Sequence, residues 1–383
     1  MLYNMGEMSR PAKNIRNCGF TEVIMSENKK RVAVIGYGGM GGWHTRHFAD
    51  SDCVELAGIW DIKESRRELA ESKGIHAYSS LEELLNDNSV ELVTIATPND
   101  CHKPLAIEAM KAGKNVISEK PVTLNSSDLE EMIAASKKYG KLFTTHQNRR
   151  WDADYVIMRD LYRKGELGQV FTVESRVQGS RGIPGDWRGQ EVHGGGMILD
   201  WGIHLIDQMV GIIYDRKITG VYCRCDHITN AEVDDGFKLD LYFERGVTAR
   251  IEVGTNHFVS LARFYMVGTS GAAVIQDWHA PCREVLCTEW NEENVVPVVT
   301  AAGLTKTMAP RDAKTTEEKI IERPVTDVHD FYRNVCRAID GKETQLITHD
   351  QLRRSMKIME AAFESDRLGT PVKFDDIDAP REN

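Results

Sequence analysis

The stretch VAVIGYGGMGGWH (32–44) limits the possible folds more than any other part of this chain. An apolar run of strand character leads directly into Gly36-x-Gly38-x-x-Gly41, and a helical pattern follows. A second apolar run, VELAGIWD, ends in Asp61, 20 residues beyond Gly41. Glycines at this spacing say little alone. Between a strand and a helix, with an acidic residue closing the next strand, they define a dinucleotide-binding βαβ unit. Gly36 permits the tight turn, Gly38 lets the backbone approach a pyrophosphate, and Gly41 lets helix and strand pack closely. The unpaired N–H groups of the helix and its dipole face the phosphates. Asp61 suits two hydrogen bonds with an adenosine ribose and would repel a 2′-phosphate, which favours NAD over NADP.

The same grammar continues to about residue 148. Strand-length apolar runs (ELVTIAT, KNVISEK, KLFTTH) alternate with amphipathic segments (KESRRELAESKG, CHKPLAIEAMKAGK, SSDLEEMIAASKKYGK). Such alternation means a parallel sheet covered on both faces. Beyond it, a helix (ADYVIMRDLYRKG) precedes a series of alternating strands, among them KITGVYCRC, GFKLDLYFE, VTARIEVG, ARFYMVGT and AAVIQD. Residues 291–324 read as an irregular polar excursion, and two helices close the chain. The expected fold is α/β: a Rossmann domain over 29–148, then a second α/β domain over 149–383 with a large, mostly antiparallel open sheet. Residues 1–28 lack periodicity, and the first 24 read equally as an upstream extension from a mis-chosen start or as an arm that packs on a partner subunit.

A chain of 383 residues with 41% hydrophobic content can bury a large core without metal or disulfide support. Its net charge of −10 disfavours nucleic acid as the main ligand. No run is long and apolar enough for a transmembrane helix, and the N-terminus lacks an apolar signal core, so a cytoplasmic protein is expected. Eight cysteines are scattered. The pair Cys223-x-Cys225 would be half a metal site, but no second pair matches it, and no His/Cys/Asp/Glu set has convincing metal spacing.

Lys120, in SEKP, ends one of the parallel strands, at the carboxyl edge where such sheets bind ligands. By itself it reads more readily as a surface lysine before a turn proline. The combination of motifs is more specific: Gly36-Tyr37-Gly38-Gly39-Met40-Gly41, Thr97-Pro98-Asn99 with His102, Glu119-Lys120-Pro121, Asn148-Arg149-Arg150-Trp151, Trp187-Arg188, and GGGMILDWGIHLID from Gly194 to Asp207. In this order they resemble the Gfo/Idh/MocA oxidoreductases, which include glucose–fructose oxidoreductase and inositol dehydrogenase. The resemblance runs from about residue 29 to the C-terminus and is weakest over 291–324. It implies that the glycine loop, Asp61, Thr97, Pro98, Asn99, His102, Glu119 and Lys120 meet the cofactor. It also implies that Lys120 lies between nicotinamide and substrate, and that its bond to Pro121 is cis.

Asp200 and His204 are spaced i and i+4, on one face of a helix. Alone, they fit a hydrogen-bonded core pair as well as a site. The resemblance makes them, with Lys120, the acid–base set. Histidine can take the hydroxyl proton of an alcohol being oxidised. Arg149, Trp187, Arg188 and His193 are the expected substrate contacts, with Trp187 equally readable as a loop anchor. Asp207 reads as structural.

The expected activity is NAD-dependent oxidation of a secondary ring hydroxyl of a sugar, inositol-like polyol or glycoside. Alternatives are NAD-dependent glycoside cleavage through a keto-sugar and a dinucleotide-binding sensor without catalysis. A homodimer or homotetramer is expected. The alternating sets that include Leu239, Leu241, Phe243, Ala249, Ile251 and Val253 suggest a second sheet face apolar enough to need a partner.

Overall fold

The computed structural model describes residues 29–290 and 295–377, and the expected N-terminal extension lies outside them. The first sheet is built from Lys30–Ile35 (β1), Gly39–Ala49 (α1), Val54–Trp60 (β2), Glu64–Glu71 (α2), Leu81–Asn86 (α3), Leu92–Ile95 (β3), His102–Lys111 (α4), Asn115–Ser118 (β4), Ser126–Tyr139 (α5) and Phe143–Thr145 (β5). Its strands are all parallel, in the order β2-β1-β3-β4-β5. β3 and β5 are buried along their whole length, as strands covered on both faces must be. Helix ends follow local chemistry. The Asn125 side chain accepts the Asp128 N–H to start α5, and Gly140 ends it in the left-handed conformation. The strand order reverses between β1 and β3, so a crevice opens at their carboxyl ends. Gly36, Thr97, Lys120 and His146 all stand just past the carboxyl ends of strands of this sheet.

Ala153–Lys164 (α6) then leads to Val170–Gln178 (β6), Ile203–Ile212 (α7), Ile218–Asp226 (β7), Gly236–Phe243 (β8), Thr248–Gly254 (β9), Phe264–Gly268 (β10), Gly271–Ile275 (β11) and Cys282–Cys287 (β12). A hairpin of Val298–Thr300 (β13) and Gly303–Thr305 (β14) precedes Thr316–Ile321 (β15), His329–Ile339 (α8), His349–Leu368 (α9) and Val372–Lys373 (β16). Nine of these strands form one sheet, β15-β12-β11-β10-β6-β9-β8-β7-β16, antiparallel except where β6 pairs with β9. The stretch expected to be irregular therefore contains an edge strand, β15, which pairs with β12.

One further expectation is corrected. Leu239, Leu241, Phe243, Ala249, Ile251 and Val253 are all buried on one face of the sheet, under its own helices. The opposite face carries charges paired across strands, Lys238 with Asp226, Arg250 with Asp240 and Arg176 with Glu252, and Arg176 also pairs with Glu174 along its own strand. Paired strands in register put their inward residues on the same side, so these six residues supply no second apolar face. Also, α8 follows the second sheet in sequence but packs on the first unit. Arg333 pairs with Asp52, Lys30 with Asp340, and His329 Nε2 lies 3.1 Å from the His47 carbonyl. The last part of the chain thus also braces the first unit.

Candidate active site

Gly36 turns the chain at φ +93°, and a side chain there would meet the Ala96 carbonyl oxygen at 2.7 Å. A Cβ on Gly41 would lie 1.9 Å from the Gly36 carbonyl oxygen. Gly38 and Gly39, by contrast, have no atom within 4 Å of a hypothetical Cβ, so the loop's outer surface is open. α1 begins there without a capping side chain and without an acidic residue in its first turn. An open backbone loop at an uncapped, acid-free helix N-terminus fits a dinucleotide's phosphates. Met40 is half-buried on this turn. The Tyr37 side chain is buried, but its N–H donates to Asp61 Oδ2 at 2.7 Å, while Asp61 Oδ1 accepts the Lys63 N–H at 2.9 Å. Asp61 thus stands beside the glycine loop and keeps accepting capacity on both oxygens.

Thr97 and Pro98 stand half-buried at the end of β3. Asn99 is buried, and its side-chain N–H donates to the Gly194 carbonyl at 2.8 Å, fastening this loop to the glycine run. His102 is fully buried, with Nδ1 2.9 Å from the Pro121 carbonyl and Nε2 3.1 Å from the Thr97 carbonyl. Both ring nitrogens therefore face main-chain oxygens, and His102 ties the two loops together instead of turning a free nitrogen to a ligand. Burial holds its pKa below the ordinary histidine value. Glu119 likewise turns its side chain away from the crevice into the core.

The Lys120–Pro121 bond is cis. Lys120 Nζ donates to Asp200 Oδ1 at 2.8 Å and to the Asp200 carbonyl at 2.8 Å. Arg188 Nε lies 3.3 Å from the other carboxylate oxygen. Burial alone would raise the Asp200 carboxyl; Lys120 and Arg188 outweigh it and hold it below the usual value. Asp200 lies in a wide π-type turn, Ile198–Gly202, that runs into α7. A regular α-helix was expected here; the extra residue per turn changes how Asp200 and His204 are offset, and such turns recur at functional sites. Asp234 anchors the turn: its Oδ2 accepts the Ile198 N–H at 2.8 Å, and its carbonyl accepts the Met197 N–H at 3.0 Å.

His204 is buried, and its Nδ1 has no hydrogen-bond partner among the described residues. Burial, then the charges of Lys120 and Arg149, hold the imidazole well below its ordinary pKa. It is neutral at pH 7 and carries an unengaged buried nitrogen. Arg149 stacks over Trp201 at 4.3 Å and Trp278 at 5.2 Å, and Trp201 lies edge-on to His204 at 5.9 Å. Trp187 is half-buried beneath the Arg188 guanidinium, 4.7 Å away. His193 Nδ1 sits 3.2 Å from Asp100 Oδ1, without the alignment of a hydrogen bond. Arg150 clamps Asp207 with two bonds of 2.7 and 2.6 Å, so that pair packs the junction. The structure thus brings Lys120, Asp200 and Arg188 into direct contact. Sequence reasoning missed Trp201, Trp278 and Asp234; only the tryptophans' indole rings, suited to a cation or a sugar face, could have signalled them.

A parallel sheet with this loop, joined at its carboxyl edge to a half-buried lysine–aspartate pair and a buried histidine, defines a dinucleotide-dependent oxidoreductase architecture. The chain belongs to the Gfo/Idh/MocA family. Residues 30–147 match the oxidoreductase family with an NAD-binding Rossmann fold, and 155–274 match the family's C-terminal domain. An NAD-binding protein from Listeria innocua superposes with a TM-score of 0.87 at 40% identity, over 90% of this chain and 99% of that one. The oxidoreductase YdgJ of Escherichia coli is 37% identical over 49% of this chain and 54% of its own length. The scyllo-inositol 2-dehydrogenase (NADP(+)) IolW of Bacillus subtilis is 29% identical over 55% of this chain and 59% of its own. The chain thus spans about half the length of the curated relatives it matches. Among the described residues, no helix is long and apolar enough to cross a membrane.

Proposed function

We propose that this chain oxidises a secondary ring hydroxyl of a cyclic polyol, sugar or glycoside with NAD, reversibly. The observation that carries the reading is the Lys120–Asp200 pair, 2.8 Å apart, beside a neutral His204 whose Nδ1 is unengaged. Oxidising an alcohol requires that its hydroxyl proton leave as the carbon is oxidised. A bound nicotinamide supplies the redox chemistry. Lys120 donates to the substrate oxygen and stabilises negative charge developing there. Asp200, ionised, holds Lys120 in place. His204 takes the proton and returns it in the reverse direction. Its low pKa keeps it in the accepting form at neutral pH. Arg188 and half-buried Trp187, on the loop joined to Asp200, suit the hydroxyl rim and apolar face of a sugar ring, and Arg149 closes the other side over Trp201.

NAD is the cofactor we propose, on the carboxylate of Asp61 beside the glycine loop. The inositol dehydrogenase named among the relatives supports a cyclic polyol as substrate. The test is a panel of inositols, hexoses, amino sugars and aryl glycosides, each with NAD and NADP, followed by absorbance of the reduced cofactor. Turnover on a polyol or sugar with NAD is expected. No turnover on any, or aglycone release without net reduction, would defeat the reading.

A further inference from the structure

Glu119, the neighbour of Lys120, ends in a closed ring of buried polar groups. His44 Nε2 lies 2.8 Å and His146 Nδ1 2.9 Å from its Oε1. Across the two imidazoles, the Tyr332 hydroxyl is 2.8 Å from His44 Nδ1 and 3.4 Å from His146 Nε2. His44, His146 and Tyr332 are each 0% exposed, and Glu119 is 5%. The four come from α1, the turn after β4, the end of β5, and α8.

Hydrogen counting fixes the Glu119 and His44 members of this ring. Burial alone would raise the Glu119 carboxyl; the two imidazoles outweigh it and hold it well below the usual range. As a carboxylate it only accepts, so both imidazole nitrogens facing it donate. His44, held down to about 4 by burial, is neutral, so its Nδ1 accepts the Tyr332 hydroxyl. A buried carboxylate without such partners would be costly. The donor atoms of His44, Glu119 and His146 lie within 4.8 Å of one another, a spacing that could hold a metal ion. All three already serve in hydrogen bonds that a metal would have to displace.

The remaining oxygen, Glu119 Oε2, accepts the Lys120 N–H at 3.3 Å. On the other side of Lys120, His102 engages the Pro121 carbonyl at 2.9 Å. We propose that His44, Glu119, His146 and Tyr332 are positioning residues, a buried ring that fixes the backbone of Lys120 so that its ammonium meets Asp200. The proposal rests on the reading of Lys120 as a group acting at the substrate hydroxyl. Because Tyr332 lies on α8, the ring also makes the lysine's placement depend on the docking of this late helix against the first sheet.

Glu119→Gln keeps the side chain's shape but replaces one of the two acceptor oxygens with an N–H donor, so the imidazoles and the Lys120 N–H can no longer all be satisfied. Tyr332→Phe removes one hydroxyl and keeps the ring's bulk, which guards against a variant that fails to fold. Competitive acetylation of the full chain with acetic anhydride, mapped by mass spectrometry, reads Lys120 without any turnover. In both variants Lys120 is expected to label several-fold faster than in wild type, while Lys103 labels at an unchanged rate. Turnover is expected to fall by on the order of 10- to 10²-fold, since about 1 Å of misplacement can cost that much. In a double-mutant cycle, the Glu119→Gln loss is expected to vanish on a Lys120→Ala background, as it must if Glu119 acts through Lys120. Unchanged Lys120 labelling in both variants overturns the proposal. So does an additive loss in the double variant, or equimolar zinc or iron retained by the purified chain. A wild type without dehydrogenase activity would defeat the proposed function, whereas labelling would still decide the positioning.

Discussion

Lys120 Nζ lies 2.8 Å from the carboxylate of Asp200 and 2.8 Å from its carbonyl oxygen, although the two residues are 80 apart in sequence. One comes from a turn of the parallel sheet, the other from the π-type turn before α7. Neither unit holds the pair alone, so the site exists only when the two are packed together. The Asn99–Gly194 bond fastens that same seam.

Lys120→Ala and His204→Ala are each expected to lose turnover by about 10²- to 10⁴-fold, the range for general acid–base groups. Cofactor affinity should change little, because neither side chain holds the phosphates or the adenosine ribose. Steady-state kinetics with fluorescence titration of the reduced cofactor separates the two. Near wild-type turnover in either variant would remove that residue from the mechanism.

Asp61→Ala is expected to weaken NAD and to narrow its advantage over NADP. The carboxylate would accept ribose hydroxyl hydrogens and repel a 2′-phosphate. The same change removes the acceptor for the Tyr37 N–H, so some loosening of the glycine loop should accompany it. Titration of both dinucleotides against both proteins measures the effect. Equal NAD affinity would place the ribose elsewhere.

The glycine loop and Asp61 were legible because backbone geometry dictates them locally: Gly36 stands at positive φ and Gly41 admits no Cβ. Lys120 and Asp200 carry no mutual signal, and only the resemblance joined them. The π-type turn was invisible, since no residue type in Ile198–Gly202 announces an extra residue per turn. β15, with the sequence TEEKII, escaped because an edge strand with solvated faces needs no apolar alternation. Alternation along β8 and β9 revealed two faces but not that every inward set would fall on the same one. His44 and His146 carry no mutual signal in the sequence either; Tyr332, from a helix nearly 200 residues later than His146, is what closes them into a ring.

Gly196→Ala is expected to destabilise the fold and lower turnover together. Gly196 has φ +99°, and a Cβ there would sit 2.2 Å from Asp234 Oδ1. Left-handed backbone costs a residue with a Cβ about 1–2 kcal/mol before the clash is counted. The clash also displaces Asp234, which anchors the turn bearing Asp200. A thermal midpoint and turnover equal to wild type would show that the turn is held by something else.

Stability should depend on pH through two buried groups that oppose each other. His44 is held down to about 4 by burial, from an ordinary 6.5. Between those values the unfolded chain binds a proton that the folded chain does not, so this group lowers stability as pH falls from 6.5 towards 4, by up to about 3 kcal/mol. Asp234 is pushed up to about 7 by burial, from 3.8, against the N–H bonds from Ile198 and Met197. Over that interval the folded chain binds the proton and the unfolded chain does not, so stability rises as pH falls from 7 towards 4. Asp234→Asn removes the second effect alone and should make the loss on acidification steeper than in wild type. His44→Gln removes the first and should make it shallower, whatever either change does to the stability at pH 7. Thermal unfolding midpoints followed by circular dichroism from pH 4 to 7 supply the slopes. Parallel profiles for wild type and Asp234→Asn would mean that the carboxyl at the start of the π-type turn titrates in the folded chain as it does in the unfolded one.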